Sequence, residues 1–198
     1  MKHAQIIKVY NEIKLHKSKL RKQEQDQFKN AENTIRNDYN NFYQKYPKLV
    51  NRILNNNLDK LINKIVKIHK NKNGNYNNFS RNYPELYRSI KNGNTLDILK
   101  QVKIIKNNWL FLTNNIQNDV YQQKKEMVEL FETKYPDFKE SNPRLLSGIL
   151  NGTLEDSTLE YMFKMYKQFE DDKITEHDAS VKFGTHLVDK FVKPNLNS

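Results

Sequence analysis

A six-residue phrase occurs three times in the chain. It reads FYQKYP at residues 42–47, FSRNYP at residues 79–84 and FETKYP at residues 131–136. The shared frame is Phe, two variable residues, Lys or Asn, and then Tyr-Pro. Self-similarity of this kind predicts one supersecondary unit used three times, and such units usually build contact surfaces. The frame residues are Phe42, Tyr46, Pro47, Phe79, Tyr83, Pro84, Phe131, Tyr135 and Pro136.

The similarity continues after each phrase. Seven and nine residues beyond the first two Tyr-Pro tyrosines come an isoleucine and an asparagine, which are Ile53 with Asn55 and Ile90 with Asn92. In the third copy the same pair lies seven residues later, at positions 149 and 151. This offset predicts an insertion at about residues 140–146 of the third unit.

Proline explains what each phrase does to the backbone. It disfavours helical geometry in the preceding residue and suits the first position of a new helix, so a helix should end at each Tyr-Pro and another should begin there. Asn and Gly should then end the short helix that follows. The sequence therefore predicts an all-α protein of three degenerate units, each a helix, a Tyr-Pro corner, a short helix and a further helix. The tyrosines either pack at these corners or form a ligand site.

Long helices should flank and connect the units. Residues 1–40 predict one long N-terminal helix, followed by a repeat domain at 41–198 with units near 41–75, 76–125 and 126–198. An apolar stripe that begins at Ile98 continues through Met127, Leu130 and Phe131, so a second long helix should run into the third phrase. A last helix should begin after Thr175, approach a neighbour closely at Gly184 and end at Pro194. The stripe of that second long helix is Ile98, Val102, Ile105, Trp109, Leu112, Ile116 and Val120.

Charge changes sign along the chain. Residues 1–75 carry a net charge of +11, residues 76–125 carry +5 and residues 126–198 carry −5. Abundant Lys and Asn are typical of AT-rich coding sequence, but codon bias does not explain a change of sign. Two explanations stay open, namely two different partners or a head-to-tail contact between copies.

Nine basic residues are the candidate binding residues for nucleic acid or an acidic partner. Those on the N-terminal helix form either a solvated face, a phosphate-binding face or the contact with a partner helix. The candidates are Lys14, Lys17, Lys19, Arg21, Lys22, Arg36, Lys60, Lys64 and Lys67.

No motif in the chain indicates a reaction. Cysteine is absent, the five histidines lack the spacing of a helical metal site, and no glycine-rich phosphate loop or nucleophile elbow occurs. We therefore expect a non-enzyme with no catalytic residue, no cofactor, no metal and no small-molecule substrate. No apolar stretch is long enough for a membrane span, so we expect an intracellular protein without a membrane partner.

Three segments carry a family resemblance. The Phe-x-x-Lys-Tyr-Pro phrase, the ILNG turn at 149–152 and the tail at 183–194 resemble small, Asn/Lys-rich helical proteins of large DNA viruses of protists. The resemblance implies a role in the virion or in infection, located in host cytoplasm or in the virion. Our first hypothesis is a non-catalytic structural or interaction protein that binds protein partners or itself. The alternative is a nucleic-acid-binding protein without sequence preference.

Overall fold

The computed structural model describes residues 3–193, except the side chains of residues 3, 4 and 191, and this part of the chain is all-α. It forms eleven α-helices and a π-helical segment at Val188–Val192, with no strand among the described residues. The predicted long N-terminal helix is present as α1. The helices are α1 (His3–Asp38), α2 (Asn40–Lys45), α3 (Pro47–Leu54), α4 (Asp59–Lys70), α5 (Asn77–Asn82), α6 (Pro84–Lys91), α7 (Thr95–Lys134), α8 (Pro136–Ser141), α9 (Pro143–Asn151), α10 (Asp156–Glu170) and α11 (Glu176–Leu187).

A helix breaks at each Tyr-Pro. Tyr46, Tyr83 and Tyr135 adopt φ of −133°, −137° and −128°, with ψ of 57°, 61° and 62°, and the following proline begins the next helix. A fourth break of the same kind lies at Asn142, with φ −138° and ψ 55° before Pro143. Steric exclusion of helical geometry before proline accounts for all four breaks.

The break at Asn142 takes the position in the third segment that Tyr46 and Tyr83 hold in the first two. The backbone N–H of each of these residues donates to the carbonyl of a phenylalanine four residues earlier, at 2.8–2.9 Å. Ten residues after each break, the backbone has positive φ, at Asn56 (51°), Gly93 (91°) and Gly152 (70°).

This register explains the offset of seven residues without an insertion. When Asn142 is matched to Tyr46, residues 149 and 151 fall seven and nine positions later, as in the first two segments. Tyr135 then matches Tyr39 and Tyr76, each of which also lies seven residues before its break and immediately before a short helix. Derivation of the three segments from one unit stays a prediction, and their shared backbone geometry supports it.

Helix α7 is continuous through 40 residues and ends at the third Tyr-Pro. Its predicted stripe is buried from Ile98 to Val120, except for Leu112, which is half-buried. The expectation for Leu130 is wrong, because its side chain is 51% exposed whereas Met127 and Phe131 are buried. Successive residues of a helix differ by about 100° in direction, so Phe131 faces the core and its neighbour does not.

The last helix begins as predicted but packs differently. The Thr175 hydroxyl accepts a hydrogen bond from the backbone N–H of Asp178 at 3.1 Å and caps α11. Gly184 makes no close approach, because a Cβ added there would meet nothing within 4 Å. The predicted helix end at Pro194 lies outside the described residues.

The chain divides into two compact units. The middle unit is Arg21–Gln122, and the terminal unit comprises the residues up to Leu20 and those from Gln123 onward. Each unit has its own apolar cluster, centred on residues such as Ile53 and Ile90 in the middle unit and Phe138 and Ile149 in the terminal unit. The middle unit holds 18 basic and 8 acidic residues, so it carries +10 of the total charge of +11. The boundaries between these units lie after Leu20 and after Gln122, whereas the sequence predicted a domain boundary after residue 40.

Candidate anion-binding groove

The first two Tyr-Pro corners are joined by reciprocal hydrogen bonds. The Tyr46 hydroxyl donates to the Ser89 hydroxyl at 2.8 Å, and Arg52 Nε donates to the Tyr83 hydroxyl at 2.7 Å. Arg52 lies six residues after Tyr46, and Ser89 lies six residues after Tyr83. Each corner tyrosine therefore contacts the same position of the other segment, and the two bonds hold the corners side by side.

Three adjoining cavities follow this junction and form what we call the corner groove. One cavity of about 350 Å³ is lined by both corners, from Tyr46–Pro47 to Tyr83–Pro84. Two others, of about 220 and 350 Å³, extend toward α4 and toward the turn after α3. Tyr83 lines all three cavities, and Arg52 lines two of them.

The corner groove is strongly cationic. Among the described residues that line these three cavities, Glu85 is the one carboxylate, and it is already paired with Arg88 at 3.0 Å. Within residues 3–193, none of the lining cations forms an ion pair with a carboxylate. The lining cations are Lys45, Lys48, Arg52, Lys60, Lys64 and Arg81.

Two of these cations are positioned by neutral partners. Lys48 Nζ donates to the Asn82 carbonyl at 2.9 Å and lies 5.9 Å from the centre of the Tyr83 ring. Arg52 donates to the Asn57 carbonyl at 3.3 Å in addition to its bond with Tyr83. Because none of these partners is an anion, both side chains keep an uncompensated charge beside the cavity. Such an arrangement suits an anionic ligand.

Part of the predicted basic set lies in the corner groove. Lys60 and Lys64 are four residues apart on α4, share one helix face and line the cavity near Phe79. Lys67 is exposed one turn further along α4 and does not line the groove. Arg36 lies elsewhere in the middle unit, where it donates to the Tyr43 hydroxyl at 2.9 Å and lies 3.6 Å from a Glu32 oxygen.

The predicted cluster at residues 14–22 contains lysines with different contacts. Lys14 pairs with Glu160 at 3.0 Å, and this hydrogen bond raises the pKa of the lysine above its ordinary value. Lys17 donates to the Ile149 carbonyl near the end of α9. These two lysines are therefore engaged within the terminal unit. Lys19, Arg21 and Lys22 are exposed on α1.

Four groove cations were missed from the sequence. Lys45, Lys48, Arg52 and Arg81 lie at positions −1, +2, +6 and −2 relative to the corner tyrosines. Lys45 occupies the Lys-or-Asn position of the phrase and Arg81 a variable position, whereas Lys48 and Arg52 lie after the phrase, so the four look unrelated along the chain. Their signal is the excess of cations around the first two corners, because the same four positions of the third corner hold Lys134, Asp137, Ser141 and Thr133, which include one cation.

The third Tyr-Pro makes a different contact. The Tyr135 hydroxyl and Lys134 Nζ both donate to the same Glu12 carboxylate oxygen, each at 2.6 Å. The hydrogen bond from Lys134, followed by that from Tyr135, lowers the pKa of Glu12. Burial raises the pKa of the Tyr135 hydroxyl, and the bond to Glu12 adds to that effect. In the terminal unit this corner ties α1 to α7 and lines none of the groove cavities.

Comparison with known proteins identifies no relative. No protein-family model matches the chain, and neither a curated protein nor a solved structure matches it significantly. None of the described helices combines the length and the apolar character needed to cross a membrane. Among the described side chains, no three His, Asp or Glu residues converge as metal ligands would. Function must therefore be argued from the corner groove itself.

Proposed function

We propose that the protein is a non-catalytic nucleic-acid-binding protein whose middle unit holds the phosphate backbone in the corner groove without sequence preference. The observation that carries this proposal is the lining of the groove, in which six cations without ion pairs among the described residues accompany one carboxylate that is already paired. Like charges that lie close together repel one another and destabilise the folded state of an isolated domain. Their accumulation around a cavity therefore favours a function in which an anionic ligand binds there.

The spread of the cations favours a polymer over a single phosphate. They line three adjoining cavities, and Tyr83 connects these cavities into one path. A polyanion presents phosphates at regular intervals along such a path. Its condensed counterions are released when these phosphates bind the protein cations. The net charge of +10 on the middle unit supports the same ligand, because a positive field attracts nucleic acid from a distance.

The test is the salt dependence of binding to a fluorescent single-stranded oligonucleotide of about 12 nucleotides, measured by anisotropy. Six phosphate contacts give an expected slope of about −4 for log K against log salt concentration. Replacing Lys60 and Lys64 by Gln should weaken binding and make the slope shallower by about 1.4, since each phosphate contact contributes about 0.7.

The matched control replaces Lys29 and Lys103 by Gln. Both side chains are exposed in the middle unit, and neither lines the corner groove. The control removes the same amount of charge from outside the groove, so it should leave the salt slope unchanged. The proposal fails if the protein binds no oligonucleotide at the lowest salt concentration, or if both double variants alter the slope equally.

A second candidate function is assembly through protein surfaces, and an exposed stripe on α7 favours it. Leu96, Phe111 and Tyr121 are 70%, 65% and 66% exposed, and their spacing places them on one face of the helix. Lys100 and Lys103 share this face. The partner that fits is a second copy of the chain, because its residues 126–198 hold 14 acidic and 9 basic residues.

Light scattering over a range of protein concentrations tests this second candidate. The average mass should rise with protein concentration and fall again with added salt. Phe111→Asp on the exposed stripe and Phe169→Asp in the acidic part of the chain should each reduce the association. A constant monomer mass would exclude it. The virion role implied by the resemblance stays a prediction.

A further inference from the structure

A fourth cavity, of about 590 Å³, adjoins the corner groove and shares Lys45 and Tyr46 with it. Its lining is chemically different, because carboxylates and amides replace most of the cations. We call it the amide pocket. Its lining residues include Asp38, Asn40, Phe42, Asn94, Asp97 and Gln101.

The amide pocket does not suit a phosphate. In the part of the chain that the structure describes, two carboxylates, Asp38 and Asp97, and one cation, Lys45, line it. Like charges would repel a phosphate group that entered it. An anionic polymer bound in the corner groove would therefore place an uncharged part of itself in this adjoining cavity.

The lining suits a flat group with hydrogen-bonding edges. Amide side chains such as Asn94 and Gln101 both donate and accept hydrogen bonds, whereas the carboxylates only accept them. The half-buried Phe42 ring lies 5.0 Å from the Tyr46 ring and gives the cavity an aromatic side. Proteins hold unpaired nucleobases by this combination of stacking and contacts to base edges.

We propose that the amide pocket receives an unpaired nucleobase of the strand whose phosphates occupy the corner groove, so that the protein selects single strands over duplexes. This inference rests on the proposed function and names its substrate class. A duplex keeps its bases stacked and paired, so it cannot place one in the pocket without losing those contacts.

The carboxylates also favour particular bases. Cytosine carries an exocyclic amino group that donates to a carboxylate, and thymine carries a carbonyl oxygen at the same position. Asp38 and Asp97 should therefore favour cytosine over thymine. The phosphate contacts in the corner groove do not distinguish the two bases, so this preference would come from the pocket alone.

The first experiment compares binding of labelled 12-nucleotide oligo(dC) and oligo(dT) by anisotropy at one salt concentration. We expect oligo(dC) to bind at least about fivefold more tightly. Replacing Asp38 and Asp97 by Ala should tighten binding of oligo(dT) by reducing repulsion, whereas oligo(dC) also loses its contact with the carboxylates, so the ratio of the two affinities should come close to one. The ratio decides the question, because it cancels the change in total charge.

The control replaces Asp26 and Asp59 by Ala. Both carboxylates are exposed in the middle unit and outside the amide pocket, and Asp59 begins α4 much as Asp97 lies in the first turn of α7. This control removes the same charge and should keep the preference for oligo(dC). Equal affinities for the two strands in the unsubstituted protein would overturn the base preference.

The second experiment needs no variant. It compares a mixed-sequence single strand with its own duplex at the same length and salt concentration. Phosphate attraction alone favours the duplex, because its charge density is higher. Tighter binding of the single strand therefore supports the amide pocket, and tighter or equal binding of the duplex overturns it. Absence of binding to either form would instead refute the proposed function.

Discussion

The Tyr46 hydroxyl donates a 2.8 Å hydrogen bond to the Ser89 hydroxyl, and the two side chains are only 6% and 5% exposed. The partners lie 43 residues apart in the chain, one at the first corner and one on the short helix after the second. The reciprocal bond from Arg52 to Tyr83 repeats this relation with exchanged roles. The two bonds join the corners beside the corner groove, and the apolar cluster of the middle unit packs behind them.

Tyr46→Phe should destabilise the protein by about 1–2 kcal/mol, because it leaves the Ser89 hydroxyl buried without this partner. The measurement is urea unfolding followed by the helical circular dichroism signal. In a double-mutant cycle, Ser89→Ala should cost little more once Tyr46 is already Phe. Independent, additive losses would contradict the bond.

Tyr83→Phe is the natural comparison. Tyr83 and Arg52 are half-buried, so water can replace the lost partner. The expected loss is below about 1 kcal/mol. A larger loss of stability than that of Tyr46→Phe would mean that the more buried of the two hydrogen bonds does not contribute more to stability.

Gly93→Ala should destabilise the turn after α6 by about 1 kcal/mol. The backbone there has φ of +91°, which disfavours any side chain, although an added Cβ would meet no atom within 4 Å. The loss therefore measures backbone conformation alone. Asn56→Gly, at the matching position with φ of +51°, should be neutral or slightly stabilising, because glycine adopts positive φ without steric cost. Thermal unfolding of the two variants and of the natural protein measures both effects.

Glu12→Gln should remove part of the pH dependence of stability. The bonds from Lys134 and Tyr135 hold the pKa of Glu12 below its ordinary value of 4.5, so the folded state favours the carboxylate. Its contribution is complete above the ordinary pKa and is lost as pH falls through the lower, folded value.

Chemical unfolding near pH 7 and at about pH 3 measures this effect. The free energies of unfolding of the natural protein and of Glu12→Gln should differ more near pH 7 than in acid. Glu24→Gln on the same helix is the control, since Glu24 forms no ion pair among the described residues. An equal difference at both pH values would contradict the assignment.

Lys17→Met should lower stability without altering nucleic-acid binding. Lys17 donates to the Ile149 carbonyl in the last turn of α9, where a positive charge is favourable by about 0.5–1 kcal/mol. Lys19→Met, two residues along the exposed part of α1, should leave stability unchanged. Both variants should keep the salt slope of oligonucleotide binding, and a shallower slope for Lys17→Met alone would return this lysine to the binding surface.

Local rules accounted for much of the fold. The breaks at Tyr46, Tyr83 and Tyr135 and the stripe along α7 follow from proline sterics and helical periodicity, and both act within a few residues. The same rule applied to Pro143 would have placed the third break at Asn142. The repeated letters of the Tyr-Pro phrase instead align Tyr135 with Tyr46 and Tyr83, seven residues before the backbone match at Asn142.

The candidate site was less accessible to sequence reasoning. Lys60 and Lys64 were predicted as basic residues of the N-terminal portion, and the helix face that they share is a local property. Lys14 was predicted from its place in a basic cluster, although it forms an ion pair with Glu160. A lysine that pairs across the fold and one that faces a cavity look alike in a list of residues.

By itself, the sequence determined where helices begin and end, which of their faces are apolar and where basic residues are concentrated. These properties depend on neighbours in the chain, on backbone sterics and on composition. Only the tertiary structure decided that two corners meet through Tyr46 and Ser89, which cations surround the resulting groove and which are engaged elsewhere. The reason is that burial and ion pairing depend on distances between residues far apart in the chain, and packing of the whole unit sets those distances.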